Sequence, residues 1–340
     1  MSLTALTLPA TTTLPPFTPP PRFAETSFES YRPQHPSQEE ALERVRAFTA
    51  EVSSVSAGVS AGTGFRWPWQ PRVVLSGRGL YLDGGFGVGK THLLAAAYQA
   101  SAASEKVYVS FQELVYAVGV KGMGAAKEEL GSVQLFCIDE FELDDPGNTL
   151  IIKTFLAHVF AQGGFVLTAS NTPPAAQGQG RFNAGDFKRE IQSVAERFSV
   201  VSLDGPDYRK RTRLATLPSD DELRHRYLHE AAPEPKLALG WRELLELLGR
   251  YHPIRYHELL GRFGTLYLRG AETLPSQNDA LRFVHFIDKA YDYGKSLRVS
   301  GVPLEALFDP SYRDGAYAKK HYRCLSRLSE MLEAAEPADG

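Results

Sequence analysis

The stretch that most restricts how this chain can fold is GLYLDGGFGVGKTHLL, Gly79 to Leu94. Five glycines fall within eleven positions, directly ahead of a lysine, a threonine and an apolar run. Glycine loses more conformational freedom on folding than any other residue, so such a cluster needs a reason. A flexible turn is one reason. Backbone that curls round a ligand with its N–H groups pointing inward is another. The string Gly84-Gly85-Phe86-Gly87-Val88-Gly89-Lys90-Thr91 fits G-x-x-x-x-G-K-[ST], a pattern that requires a strand before it and a helix after it. Leu80-Tyr81-Leu82 can end a strand, and the alanine-rich THLLAAAYQASAA can form the helix. The chemistry this implies is polyphosphate binding by loop N–H groups and a helix N-terminus. Lys90 would reach the β and γ phosphates, and the Thr91 hydroxyl would ligate Mg²⁺. His92, in the same first helical turn, completes the candidate nucleotide contacts.

A loop that binds phosphate does not by itself hydrolyse it. Hydrolysis needs a metal anchor, a group that activates water and a complement to the charge that develops on the transferring phosphoryl group. VQLFCIDEF, Val133 to Phe141, is a continuous apolar run ending in two acids, the pattern of a buried parallel strand. Asp139 at its tip would hold Mg²⁺ through water, and Glu140 would orient or deprotonate the attacking water. Ligands of open α/β sheets lie outside the carboxyl ends of the strands, where both acids fall. The next apolar strand, FVLTASNTPP, ends in Ala169-Ser170-Asn171. Asn171 can reach the γ-phosphate side of that crevice opposite Glu140, or it can simply start the turn before Pro173-Pro174. Arg181, Arg189, Arg197, Arg209, Arg211 and Arg213 all lie downstream of it. Each is either a solvated surface cation or a finger offered to a neighbouring subunit.

The rest of the chain sets this site in a frame. Strand-like segments at 73–82, 106–111, 133–141, 165–174 and 199–205 alternate with helical ones, the order of a doubly wound parallel sheet. Residues 1–35, with LPATTTLPPFTPPPRF, read as a disordered proline-rich tail. A helix follows, with Ser37 as its expected N-cap and Glu40 three residues on. FRWPW, at 65–69, reads as part of a loop. The nucleotide-binding domain spans 36–215. From 216 to 340 lies a smaller C-terminal lid region: a charged, loop-like start, strands at 262–270 and 295–301, an amphipathic helix capped by Ser276 and a last helix over 314–334. The net charge of −3 gives no global bias toward nucleic acid. Two cysteines, Cys137 and Cys324, in apolar surroundings suit a reducing, intracellular setting. No apolar run has the length of a membrane span.

The glycine loop, CIDEF and TASN at these spacings resemble an AAA+ ATPase. GRGLYLDGGFGVGKTHLL, DEFELDD, TASNTPP and SLDGPDYRKR narrow the resemblance to the ZapE family, and ALRFVHFIDKAYDYGKSLRVSGVPLEALF and RCLSRLSEM extend it to about Met331. That resemblance implies an α/β P-loop fold and Mg²⁺-dependent hydrolysis of ATP. It also implies assembly into a homo-oligomer when active and a cytoplasmic regulator of bacterial cell division whose partner is the tubulin-like FtsZ. Mitochondrial relatives imply the alternative of an ATP-driven chaperone or protease adaptor. A nucleotide-switched interaction protein with little turnover is a third reading, against which a placed Glu140 argues. Two departures stand out. Ala184 occupies the place of an arginine that precedes the helix after the SNTPP segment in the family, and Val88 stands where the family's loop often carries a basic residue.

Overall fold

A computed structural model of the 340-residue chain describes residues 6–9, 14–61, 77–143, 145–177, 184–205, 217–312 and 317–333. The chain divides into two compact units. One comprises Pro16–Pro19 and Phe23–Tyr208, the other Met1–Pro15, Pro20–Arg22 and Arg209–Gly340. The sequence-based boundary at 215/216, the FRWPW motif and the first part of the expected 73–82 strand lie outside the described residues.

In the first unit, α1 (Pro36–Ala61), β1 (Gly79–Gly84), α2 (Lys90–Ala100), β2 (Lys106–Ser110), α3 (Phe111–Lys121), α4 (Met123–Leu130), β3 (Leu135–Asp139), α5 (Pro146–Ala161), β4 (Phe165–Ser170), α6 (Ala184–Ala195) and β5 (Phe198–Leu203) follow one another. The five strands pair in the order β2-β3-β4-β1-β5, all parallel. Alternate residues of each strand point to opposite faces. Leu80, Leu82, Leu135, Cys137, Leu167 and Val201 meet α1 and α2 through Val45, Val52, Leu93 and Leu94. Tyr81, Val107, Phe136, Ile138 and Val166 meet α3 and α5 through Leu114, Phe155 and Val159. Burial on both faces explains why the strands read as unbroken apolar runs. The doubly wound sheet expected from the sequence is the one observed.

Ser37 does not cap α1. The helix opens at Pro36, whose missing N–H suits a first helical position. The Ser37 hydroxyl instead accepts from Asp204 N at 2.8 Å, tying the first turn of α1 to the loop after β5.

The second unit contains α7 (Asp220–His229), β6 (Lys236–Gly240), α8 (Trp241–Arg250), α9 (Tyr256–Leu260), β7 (Thr265–Ala271), α10 (Gln277–Asp292), β8 (Ser296–Gly301) and α11 (Ala318–Glu333). Its sheet is parallel, in the order β6-β7-β8. Ser276 caps α10 as expected, accepting from Asp279 N. The stretch after 216 is more structured than its charge suggests. Ser219 and Glu222 close a capping box that starts α7. Leu237 and Leu239 alternate with Ala238 and bury β6 against the core.

The described part of residues 1–35 is not a free tail. Leu6 is fully buried and Leu8 nearly so in the core of the second unit, where Leu8 N donates to the Tyr251 hydroxyl at 2.9 Å and Arg255 donates to Pro9 O at 2.7 Å. Phe28 and Tyr31 are buried in the core of the first unit, and Phe17 O accepts from Tyr108 N on β2. Proline removes donors and periodicity, a pattern that in sequence alone points to disorder. Single apolar side chains, irregularly spaced, are instead buried one at a time against folded units that supply the missing hydrogen-bond partners. Leu6→Ala should therefore lower the stability of the second unit by about 2–5 kcal/mol, read as a fall in its denaturant midpoint. A surface leucine would give a change within about 0.5 kcal/mol.

Candidate functional site

The site starts where β1 ends. Gly84 has φ 149°, and a Cβ there would lie 2.2 Å from Leu203 O, so no other residue fits between β1 and β5. Gly89 has φ 91° and serves as the N-cap of α2 without a side chain. The first N–H groups of α2 are therefore left uncapped, which is the arrangement that receives an anion. Gly85 is exposed, Phe86 and Gly87 are half-buried and Val88 is buried. The buried Lys90 donates from Nζ to Gly84 O at 2.9 Å, to Gly85 O at 2.6 Å and to Asn171 Oδ1 at 2.9 Å.

The bond to Asn171 follows from the strand order. β4 comes after β3 in the chain but lies between β1 and β3 in the sheet. Its tip therefore falls between the phosphate loop and the acids at the end of β3. At that end, the Asp139 carboxylate accepts from Glu140 N at 2.9 Å and from the Tyr108 hydroxyl at 3.1 Å, and the Thr91 hydroxyl lies beside it. Burial, and next the charge of Glu140, raise the Asp139 carboxyl above the usual range, while those three groups pull it back. A desolvated carboxylate beside a hydroxyl is a hard oxygen pair suited to Mg²⁺, which keeps several waters and takes few protein ligands. Among the described residues no cluster of three His, Cys, Asp or Glu side chains could hold a metal by itself. Any metal here would complete its shell with phosphate and water.

Glu140 has φ 51°, and is the one non-glycine residue with positive φ among those described. Such backbone persists only where its surroundings over-determine it. Here the next residue does so. Phe141 N donates to Ala169 O on β4 at 2.8 Å, and the Phe141 ring is buried edge-on against Tyr81 and Phe111. The chain must turn sharply at Glu140 to satisfy both.

Gln177 braces this turn, and nothing in the sequence marks it. Its buried amide Nε2 lies within hydrogen-bond reach of Tyr81 Oη (2.8 Å), Phe141 O (3.1 Å), Ser170 Oγ (3.1 Å) and Thr172 O (3.2 Å). Its Oε1 accepts from Leu143 N at 2.9 Å. One side chain thus joins the backbone after Glu140 to the Ser170 hydroxyl and the Thr172 carbonyl, either side of Asn171. Tyr108 was missed for a similar reason: it lies on a different strand from the acid it serves, and an apolar-patterned strand gives no sign of a working hydroxyl.

Of the expected residues, Lys90 and Asn171 meet directly, the Thr91 hydroxyl lies beside Asp139, and Glu140 adjoins Asp139. The His92 imidazole is engaged by Ser27 O at 3.1 Å and Ser30 Oγ at 3.0 Å, and burial holds it below the usual histidine range. Arg189 and Arg197 are exposed on and just after α6. Arg197 precedes β5, at the amino ends of the strands and so at the opposite end of β1 and β5 from the phosphate loop. Arg181, Arg209, Arg211 and Arg213 lie outside the described residues.

The model of the AFG1-like ATPase family matches residues 17–246 and 219–336. The chain belongs to the AFG1-like ATPase family. The ATPase activity expected from the sequence is that of this family. Among curated relatives, the chain is 26% identical over 297 residues to the cell division protein ZapE of Escherichia coli K12, covering 75% of this chain and 78% of that protein. It is 24% identical over 341 residues to the uncharacterized protein C115.02c of Schizosaccharomyces pombe (75% and 72%), and 24% identical over 300 residues to lactation elevated protein 1 homolog B of Danio rerio (71% and 59%). Solved structures similar to it include the DnaC helicase loader (16% identity, TM-score 0.37, 54% of this chain and 99% of that one). AMPPCP-bound DnaA from Aquifex aeolicus is another (17% identity, TM-score 0.38, 53% and 50%). No described helix is long and apolar enough to cross a membrane.

For this AFG1-like ATPase, Gln177→Leu should lower kcat at saturating ATP about tenfold or more while leaving the Kd for ATP within about threefold, because the brace acts on Glu140 and Asn171 and not on the phosphate loop. Steady-state kinetics with a direct ATP titration separate the two. A change confined to Kd would place the action of Gln177 elsewhere.

Proposed function

We propose that the chain couples ATP hydrolysis, carried out by Lys90, Thr91, Asp139, Glu140 and Asn171, to the control of bacterial cell division. The observation that carries the chemical half is the hydrogen bond from Lys90 to Asn171 at the same end of the sheet where the Thr91 hydroxyl lies beside the Asp139 carboxylate, with Glu140 next in the chain.

In this reading the N–H groups of Gly84–Thr91 cradle the phosphates, with His92 in the same turn. The Lys90 ammonium exchanges the carbonyls of Gly84 and Gly85 for phosphate oxygens. The Thr91 hydroxyl and the Asp139 carboxylate would hold Mg²⁺, which would supply neutralising charge to the phosphate chain. Asn171 keeps its place between Lys90 and the acids and positions the attacking water. Glu140 accepts a proton from that water as its oxygen bonds to the γ-phosphorus and the bond to the β–γ bridging oxygen breaks, releasing ADP and phosphate. Lys90 alone is a thin positive complement for the phosphoryl oxygens. An arginine from a neighbouring copy, Arg181 or Arg189 foremost, would complete it in a homo-oligomer.

The cell-division half is supported by the ZapE resemblance and the name of the Escherichia coli relative. It makes FtsZ the protein client and the cytoplasm, at the division site, the place of action. Lys90→Ala should abolish ATP binding at micromolar protein, and Glu140→Gln should keep binding while losing turnover by about 10²–10⁴. Glu140→Gln held in its ATP state should retain purified FtsZ in a co-sedimentation assay, and Lys90→Ala should not. Equal FtsZ retention with and without ATP, or none, would contradict the division reading. Parent-rate turnover by Glu140→Gln would contradict the chemistry.

A further inference from the structure

The phosphate loop is gripped from outside by Tyr31, at the end of the proline-rich segment, and by Gln38 in the first turn of α1. The Val88 carbonyl accepts from the Tyr31 hydroxyl at 3.2 Å and from Gln38 Nε2 at 3.4 Å. Gln38 is fully buried, and its other amide atom, Oε1, accepts from Gln34 N at 2.6 Å, which fixes which way the amide faces. Tyr31 is 5% exposed and its ring lies flush on the loop: a Cβ on Gly89 would sit 2.5 Å from Tyr31 Cε2. The same segment holds the first turn of α2 through Ser27 O and Ser30 Oγ on His92, and the Tyr31 and His92 rings are 5.2 Å apart.

These contacts bear on the direction of one N–H group. In a trans peptide the C=O and the following N–H lie in one plane and point opposite ways. Holding the Val88 carbonyl toward Tyr31 and Gln38 therefore turns the Gly89 N–H away from them. Gly89 itself is in the left-handed region, where a glycine peptide can flip at small steric cost. Without an outside grip, the Val88–Gly89 peptide would have that freedom.

We propose that Tyr31 and Gln38 are positioning residues for the phosphate loop: by holding the Val88 carbonyl outward they aim the Gly89 N–H at the bound polyphosphate. The ligand is the phosphate chain, not the base. This deepens the nucleotide-binding reading given above and rests on it.

The test is direct titration of the full chain with ATP and with pyrophosphate, comparing the parent, Tyr31→Phe, Gln38→Leu and the double variant. Each bond removed should weaken both ligands about threefold and the double variant about tenfold, by the same factor for ATP and pyrophosphate. In turnover the loss should fall on KM for ATP and not on kcat, since neither residue reaches the attacking water. The melting temperature without ligand separates positioning from packing. Tyr31→Phe keeps the ring and should melt with the parent, so it gives the answer even if Gln38→Leu fails to fold. Unchanged affinity for both ligands in Tyr31→Phe and the double variant would overturn the proposal. So would a loss seen with ATP and absent with pyrophosphate, which would place these residues on the nucleoside. If the parent itself binds no ATP, or Lys90→Ala binds it as tightly, the fault lies with the nucleotide-binding reading and not with the grip.

Discussion

The site depends above all on where β4 pairs. A parallel strand can join a sheet only through a crossover, and this chain uses α5 to bring β4 back between β1 and β3. That placement puts Asn171 within hydrogen-bond distance of Lys90, although 80 other positions separate them along the chain. It also makes Ala169 the acceptor for Phe141 N, and so the anchor that forces the turn at Glu140. Pairing β3 directly with β1 would leave the two acids beside the phosphate loop with no polar tip between them. The packed faces of the sheet hold the order in place, because each strand buries one set of side chains against α1 and α2 and the other against α3 and α5.

Rigidity behind the site is polar as well as apolar. Gln177, Tyr81, Ser170 and Thr172 form a buried hydrogen-bonded knot that also takes in Phe141 O and Leu143 N. A buried network of this kind is costly when half satisfied and specifying when complete. Burial raises the Tyr81 hydroxyl well above the usual tyrosine range, so it stays protonated and keeps donating to Thr172 O. The turn after β3 and the turn after β4 are in this way fastened to each other and to β1.

What the sequence disclosed follows from chemistry that tolerates few alternatives. The phosphate loop was legible because only glycine fits at Gly84 and Gly89, and because a lysine and a hydroxyl must follow. Asp139 and Glu140 were legible because two acids at the end of an apolar run have few structural uses. Asn171 was legible from its place at a strand tip, but the order that makes the place matter was not, since strand order depends on side-chain packing between distant segments. Gln177 and Tyr108 left no trace because a hydrogen bond across the sheet has no period or motif. The first 35 residues misled because composition averages over Leu6, Leu8, Phe28 and Tyr31, each buried singly. The start of the second unit misled in the same way, its charges masking the capping box at Ser219 and the alternation of Leu237 and Leu239.

The central claim is that the phosphate loop, the β3 acids and the β4 tip act as one hydrolytic site. Single-turnover hydrolysis of pre-bound ATP by Asn171→Ala tests it most directly, because binding and assembly are complete before the clock starts. Bound ATP should be cleaved slower by about 10²-fold, as when a positioned polar group is removed from a preorganised site, with the ATP Kd nearly unchanged. Cleavage at the parent rate would mean that the β4 tip takes no part in the chemistry and that its bond to Lys90 serves the fold alone.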